Sequence, residues 1–158
     1  MISNFTDISL EDLSHIAKIC ASWSRMGDTY LLRGDLGTGK TTFAQYFLKS
    51  LGCEEEVTSP TFNLLQLYEL PELQVVHMDL YRLENPSDIE ELGVHELFHQ
   101  AICLVEWPDR LGEENLPEQA INLRWTHNVD SSRDLQIITS EETDWDKKRN
   151  EAFKNLFH

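Results

Sequence analysis

The hydrophobic residues of this chain fall into two kinds of pattern, one with a helical period and one of short continuous runs. Ser9 and Asp12 resemble a capping box, and the apolar positions that follow at helical spacing predict an amphipathic helix ending near Gly27. Further helical segments are predicted over residues 41–51, 87–93 and 144–156, with one or two more turns over 94–100.

The continuous apolar runs predict strands that are buried on both faces. They cover residues 29–32, 64–68, 75–78, 102–105, 120–125 and 135–139. Their alternation with helices is typical of an α/β fold with a parallel sheet centre. A short turn at Pro71 joins the second run to the third, which predicts an antiparallel hairpin and therefore a mixed sheet. At 158 residues, 41% of them hydrophobic, the chain matches one domain over residues 1–158.

The chain is strongly acidic, with 28 acidic against 13 basic residues and a formal net charge of -15. This charge opposes direct binding of nucleic acid or of an anionic membrane. The three cysteines form no CxxC pair, which favours a reducing compartment over a disulfide framework or a zinc site. The first residues lack the basic and apolar segments of an export signal, so we expect a cytoplasmic protein.

A complete GxxxxGK[ST] pattern follows the first predicted buried strand and opens the next helix. It comprises Gly34, Asp35, Leu36, Gly37, Thr38, Gly39, Lys40 and Thr41. Glycines free successive backbone N–H groups to surround a phosphate, and the helix N-terminus adds partial positive charge. We expect Lys40 to reach the β- and γ-phosphates and the Thr41 hydroxyl to bind Mg²⁺, with Thr42 beside them. A plain glycine turn is the alternative, but the order of strand, loop and helix favours a phosphate site.

Two acidic residues each end an apolar run, Asp79 after 75–78 and Glu106 after 102–105. If both strands are parallel to the one before the phosphate loop, their carboxyl ends open on the sheet edge where α/β proteins bind ligands. We therefore expect Asp79 to hold Mg²⁺, directly or through water, and Glu106 to orient or deprotonate the attacking water. The sequence pattern leaves open which of the two acids takes which role. Alternatively, each carboxylate simply faces solvent.

Two other segments carry candidate residues. The hydroxyls of Ser59 and Thr61 are candidate sensors of the γ-phosphate, although Ser-Pro-Thr is equally ordinary turn chemistry. Trp107 is freed from its strand by Pro108, and it either stacks on a nucleotide or partner or covers the edge of the core.

A metal-binding pattern competes with the phosphate loop. His95, Glu96 and His99 satisfy the HExxH motif of zinc proteases, and Glu118 is available as a third ligand. The predicted helix between Gly93 and the strand at 102 has about two turns at most, too short for the well-anchored helix of such a site. The sequence therefore favours ordinary helix histidines.

Four segments together resemble the TsaE (YjeE) family: GDLGTGKTT at 34–42, SPTF at 59–62, HMDLYRL at 77–83 and CLVEWPDR at 103–110. The resemblance implies a three-layer P-loop NTPase fold. It implies a small bacterial ATPase needed to make N6-threonylcarbamoyladenosine in tRNAs that read codons beginning with A. It also implies phosphate binding over 34–42, Mg²⁺ coordination by Thr41 with Asp79 or Glu106, γ-phosphate sensing by SPTF, and Trp107 in the nucleotide site.

The resemblance further implies partners, namely the TsaB and TsaD proteins. TsaD would carry out threonylcarbamoyl transfer, while hydrolysis of ATP as substrate, with Mg²⁺ as cofactor, resets the complex between turnovers. The acidic charge agrees with contact to tRNA only through those partners. Two alternatives are a small-molecule kinase, which usually clamps its substrates with several arginines, and a nucleotide-gated binding module with little hydrolysis.

Overall fold

A seven-stranded mixed sheet forms the centre of the protein, in a computed structural model that describes residues 1–58, 60 and 64–156. The strands are β1 (Ile2–Phe5), β2 (Thr29–Arg33), β3 (Leu65–Glu69), β4 (Gln74–Asp79), β5 (Ile102–Glu106), β6 (Ile121–His127) and β7 (Arg133–Ile138). The helices are α1 (Leu10–Ser22), α2 (Lys40–Ser50), α3 (Val94–Gln100) and α4 (Asp144–Lys154). Short 3₁₀ segments lie at Pro86–Leu92, Pro108–Leu111 and Glu113–Asn115.

The strand order is β1-β7-β6-β2-β5-β4-β3. The four central strands from β6 to β4 are parallel, whereas β3, β7 and β1 each run antiparallel to the strand they pair with. The predicted mixed sheet with a parallel centre is therefore confirmed, and β3 and β4 form the predicted hairpin. The sequence does not predict β1, because a four-residue edge strand that pairs with the distant β7 carries little pattern of its own.

Two apolar layers cover the two faces of the sheet. One is formed with α1, α2 and α4 and contains Phe43, Phe47 and Phe153. The other is formed with α3 and the 3₁₀ segments and contains Val94 and Phe98. This is the three-layer α/β arrangement that the sequence predicts. None of the helices in the described residues is long and apolar enough to cross a membrane.

Two helix starts are capped by local side-chain hydrogen bonds, one as the sequence predicts and one by a different residue. The Ser9–Asp12 capping box is present at the start of α1, with both reciprocal hydrogen bonds formed. Ser87 and Glu90 have the spacing of a capping box at the start of the predicted segment 87–93, but that prediction is wrong: the N-cap is Asn85, whose side chain accepts a hydrogen bond from the Ser87 N–H. The segment that follows, Pro86–Leu92, is a 3₁₀ helix with Ile89 as its buried residue.

The predicted phosphate loop packs on Trp125 of β6. A Cβ atom added to Gly34 would lie 2.8 Å from Thr38 Oγ1 and 3.1 Å from both Cβ and the carbonyl oxygen of Trp125. A Cβ added to Gly39, where φ is +122°, would lie 3.4 Å from the indole Nε1 of Trp125. Close packing therefore requires glycine at position 34, whereas at Gly39 the contact is an ordinary one and the positive φ is what favours glycine.

Replacing Gly34 by alanine is expected to destabilise the protein more than the same change at Gly52. Both glycines have positive φ, +152° and +91°, but a Cβ on Gly52 meets no described atom within 4 Å. Gly52→Ala should therefore cost only the backbone strain, roughly 1–2 kcal/mol. Gly34→Ala should cost about 1–3 kcal/mol more through overpacking. Urea unfolding of the two variants measures the difference, and equal losses would show that Trp125 yields without cost.

Candidate functional site

The carboxyl ends of three parallel strands meet at one edge of the sheet. In the strand register Leu32 of β2 lies opposite Glu106 of β5, and Glu106 lies opposite Asp79 of β4. The two predicted acids are therefore the last residues of adjacent strands, beside the loop that leaves β2. The structure brings them to the same edge as Lys40, as the sequence predicts.

The predicted phosphate loop runs from β2 to the first turn of α2. Gly37 and Gly39 have φ angles of +75° and +122°, and the Thr38 hydroxyl donates to the Asp35 carbonyl at 2.8 Å, which fixes the curve of the loop. Helix α2 begins at Lys40, and Gly39 at its N-cap provides no side-chain cap. The first N–H groups of such a helix carry partial positive charge, so the loop and helix together suit an anion.

The ammonium group of Lys40 lies at the centre of this edge. The residue is only 4% exposed, and its Nζ donates to the Gly34 carbonyl and lies 3.7 Å from the centroid of the Trp107 ring. Burial lowers the pKa of Lys40, and the nearby charges of Glu106 and Asp79 oppose that shift. An anionic ligand at this position would add a further compensating charge.

Glu106 is a buried carboxylate, 3% exposed, and two side chains of the described residues donate to it. The Thr41 hydroxyl lies 3.1 Å from Oε1 and 3.2 Å from Oε2. From β4, His77 Nε2 lies 2.6 Å from Oε2. The sequence analysis does not single out His77 as a functional residue, because it falls within the apolar run 75–78. Two signals could have found it: it is the polar residue of that run, and it begins the HMDLYRL segment.

Asp79 faces the same edge and accepts a hydrogen bond from the Tyr81 N–H at 3.1 Å. Together with Lys40, Thr41 and Glu106 it lines a cleft of about 190 Å³. Other predicted residues, Leu36, Gly37, Thr42 and Trp107, complete the lining with Tyr81. Tyr81 is a cleft residue that sequence reasoning missed; its available signal is its place in the HMDLYRL segment, which does not distinguish it from its neighbours there.

Trp107 forms an aromatic wall of the cleft. It leaves β5 in the left-handed conformation, with φ 58° and ψ 51°, as Pro108 begins a 3₁₀ turn. Its ring contacts Tyr81, with 5.0 Å between centroids, and carries the Lys40 ammonium over its face. The tryptophan therefore lies on the side of the loop where Glu106 and Asp79 are, rather than only covering the core.

A second cleft lies on the opposite side of the loop. It has a volume of about 370 Å³ and is lined by Thr38 of the loop, Ser9 and Leu13 at the start of α1, and Arg133 of β7, among others. Thr38 thus borders this cleft, while Lys40 and Thr41 border the one that contains the acids. The loop thus separates the cleft that contains Lys40, Asp79 and Glu106 from a cleft of mixed character, in which apolar side chains lie with Asp7 and Arg133.

Two sets of candidates lie away from this edge. Ser59 and Thr61 are outside the residues that the structure describes. His95 and His99 are exposed on the seven-residue α3, and they line a groove with Glu118 near Gly27, at the amino ends of the parallel strands. Among the described residues no group of three or more His, Cys, Asp or Glu side chains is arranged to hold a metal ion. The HExxH pattern thus belongs to a short surface helix.

Comparisons with known proteins agree on one family. The family model for "Threonylcarbamoyl adenosine biosynthesis protein TsaE" matches residues 8–135. The TsaE protein of Bacillus subtilis (strain 168) is 41% identical over 129 residues, covering 81% of this chain and 80% of the relative. That of Rickettsia bellii (strain RML369-C) is 37% identical over 134 residues, covering 84% and 92%.

A solved structure supports the same assignment. The crystal structure of Bacillus subtilis YdiB superposes with a TM-score of 0.78 and 31% identity, covering 98% of this chain and 95% of that one. The sequence resemblance, the matched residues 8–135 and the shared fold are thus in agreement. The chain belongs to the TsaE family, whose proteins take part in the biosynthesis of threonylcarbamoyladenosine in tRNA.

Proposed function

We propose that this protein is a cytoplasmic ATPase that binds and hydrolyses ATP within the assembly that makes N6-threonylcarbamoyladenosine in tRNA, together with TsaB and TsaD. The observation that carries the proposal is the convergence of Lys40, Thr41 and Glu106 at the first turn of α2. A glycine loop, a lysine, a hydroxyl and a carboxylate in this arrangement are the parts that phosphoryl-transfer proteins use to bind and activate a nucleoside triphosphate.

Phosphate binding follows from the loop and from Lys40. The uncapped N-terminus of α2 presents backbone N–H groups to an anion. Lys40 Nζ, which now contacts a carbonyl and an aromatic face, would exchange these weak partners for the β- and γ-phosphate oxygens. Because the Lys40 ammonium is largely buried, a charged partner there interacts more strongly than it would in open solvent.

The donor set fits Mg²⁺. Proteins usually bind this ion through one or two carboxylates, a hydroxyl, water and the phosphates of the substrate rather than through a complete protein cage. Thr41 and Glu106, already in hydrogen-bond contact, would hold the ion, with Asp79 on the adjacent strand end. When bound, the ion neutralises negative charge on the β- and γ-phosphates.

The contact with Thr41 assigns different positions to the two acids. Glu106 lies beside the hydroxyl that binds the ion, whereas Asp79 lies one strand further from β2. We therefore infer that Glu106 is on the metal side and that Asp79 orients the attacking water or binds the ion through water. The sequence interpretation gives Asp79 the principal metal role and Glu106 the water. The contact between Glu106 and Thr41 favours the reverse assignment.

The second cleft provides a place for the rest of the nucleotide. It begins at Thr38, on the side of the loop away from Glu106, and combines the apolar Leu13 with the charged side chains of Asp7 and Arg133. A base and ribose need an apolar surface with a few polar groups, which this cleft offers. In this arrangement Trp107 and Tyr81 cover the phosphate end of the site.

Lys40→Ala is expected to reduce ATP hydrolysis roughly 10²–10³-fold, since it removes the cation that would stabilise charge on the γ-phosphate. Lys49→Ala, which removes an exposed lysine from the last turn of the same helix, is the matched control and should hydrolyse ATP at the wild-type rate. Phosphate release measures both. Equal turnover in Lys40→Ala and the wild type would contradict the site assignment.

The two acids are separated by their dependence on Mg²⁺. Glu106→Gln should raise the Mg²⁺ concentration needed for half-maximal activity, because it removes the carboxylate beside Thr41. Asp79→Asn should lower the maximal rate with a smaller change in that concentration. Activity measured across a Mg²⁺ titration tests the assignment, and the reverse order would return Asp79 to the principal metal position.

The partners provide the third test. Phosphate release should rise when TsaB and TsaD are added together, and tRNA modification by the reconstituted set should proceed beyond one turnover only when this protein is present. The Lys40→Ala protein serves as the matched control. Turnover that does not respond to the partners would favour a nucleotide-gated binding module over an ATPase.

A further inference from the structure

His77 is the least exposed polar group next to the candidate site. Its side chain is 0% exposed, and it lies on β4 two residues before Asp79, on the same face of the sheet. Since Asp79 lies opposite Glu106 in the register, His77 is diagonal to Glu106 across the β4–β5 pair. The register of the sheet therefore places the two side chains within reach of each other, and His77 Nε2 lies 2.6 Å from Glu106 Oε2.

The direction of this hydrogen bond follows from the groups involved. A carboxylate only accepts, so the Nε2–H of His77 donates to Glu106. The other ring nitrogen, Nδ1, is buried and has no hydrogen-bond partner among the described residues. The bond to Glu106 is thus the one hydrogen bond that the described structure gives this side chain. If the side chain at position 77 served only for packing, an apolar residue would avoid the free-energy cost of burying Nδ1 without a partner.

Nucleotide binding would affect the two donors to Glu106, Thr41 and His77, in different ways. Thr41 lines the cleft, and its hydroxyl oxygen is the proposed ligand of the ion. The ring of His77 is fully buried behind the cleft and is not part of its lining. Binding of the nucleotide and the ion would therefore replace the hydrogen bond from Thr41 but leave the one from His77 in place.

We propose that His77 is a positioning residue, which holds the carboxylate of Glu106 toward Thr41 and the phosphate end of the cleft. The inference rests on the proposed function, since the position of Glu106 matters only if the site hydrolyses a nucleotide. Groups that orient a metal-side carboxylate through a hydrogen bond act on rate or metal affinity rather than on the binding of the remaining ligand.

A matched pair of amide variants tests the hydrogen bond itself. In His77→Gln the amide nitrogen stands the same number of bonds from Cα as Nε2, whereas in His77→Asn it stands at the position of Nδ1 and cannot reach Glu106. At a Mg²⁺ concentration below saturation, His77→Asn should lower the single-turnover rate of ATP hydrolysis roughly 10–100-fold through weaker Mg²⁺ binding, while His77→Gln restores most of it. The affinity for ADP without Mg²⁺ should be unchanged in both variants. The control is His99→Gln, which removes an imidazole from an exposed position on α3. This variant should hydrolyse ATP at the wild-type rate.

A double-mutant cycle guards against a purely structural effect. In a Glu106→Gln background, His77→Asn should cause no further loss of rate, because the carboxylate that it positions is already gone. If His77→Asn does not fold, as judged by thermal unfolding, His77→Leu replaces it as an apolar side chain without a donor.

The outcomes separate this inference from the proposed function. Equal rates in the Gln and Asn variants, additive losses in the cycle, or a loss of rate matched by a loss of ADP affinity would each overturn the positioning role of His77 alone. Absence of ATP hydrolysis by the wild type, with and without TsaB and TsaD, would instead overturn the proposed function and the positioning role with it.

Discussion

A carboxylate buried at the end of a central strand must be hydrogen-bonded, and in this protein that requirement joins three elements. Glu106 ends β5, Thr41 donates to it from α2, and His77 donates to it from β4. Leaving such a group without partners would cost several kcal/mol, on the order of the penalty for one buried ion. The first turn of α2 is therefore tied to two strands by the side chain on which the proposed chemistry depends.

The central part of this arrangement is readable from the sequence because its signals are local. The uninterrupted run 102–105 shows that β5 is buried on both faces, and the loop pattern places Lys40 and Thr41 at a helix start. Relative positions depend on strand order, which is a tertiary property. The sequence shows that Asp79 and Glu106 each end a strand, but only the register shows that Glu106 is the nearer to β2.

The features that the sequence does not predict depend on distant partners. The edge strand β1 exists because β7, more than a hundred residues away, pairs with it. His77 reads as one position of an apolar strand until Glu106 is placed diagonal to it. Tyr81 becomes a cleft residue through its contact with Trp107. In each case the contact that matters joins segments far apart in the sequence, and the local periodicity of hydrophobic residues carries no information about such contacts.

The packing of the loop on Trp125 has a consequence for the thermodynamics of ligand binding. Gly34 and Gly39 lie against the indole and backbone of a β6 residue that is only 4% exposed, so the curvature of the loop is set when the sheet assembles. The conformational entropy of ordering these residues is then lost during folding and not at the moment of association. A preorganised loop of this kind retains more of its gross interaction energy as affinity, which matters in a chain whose overall charge of -15 repels anions.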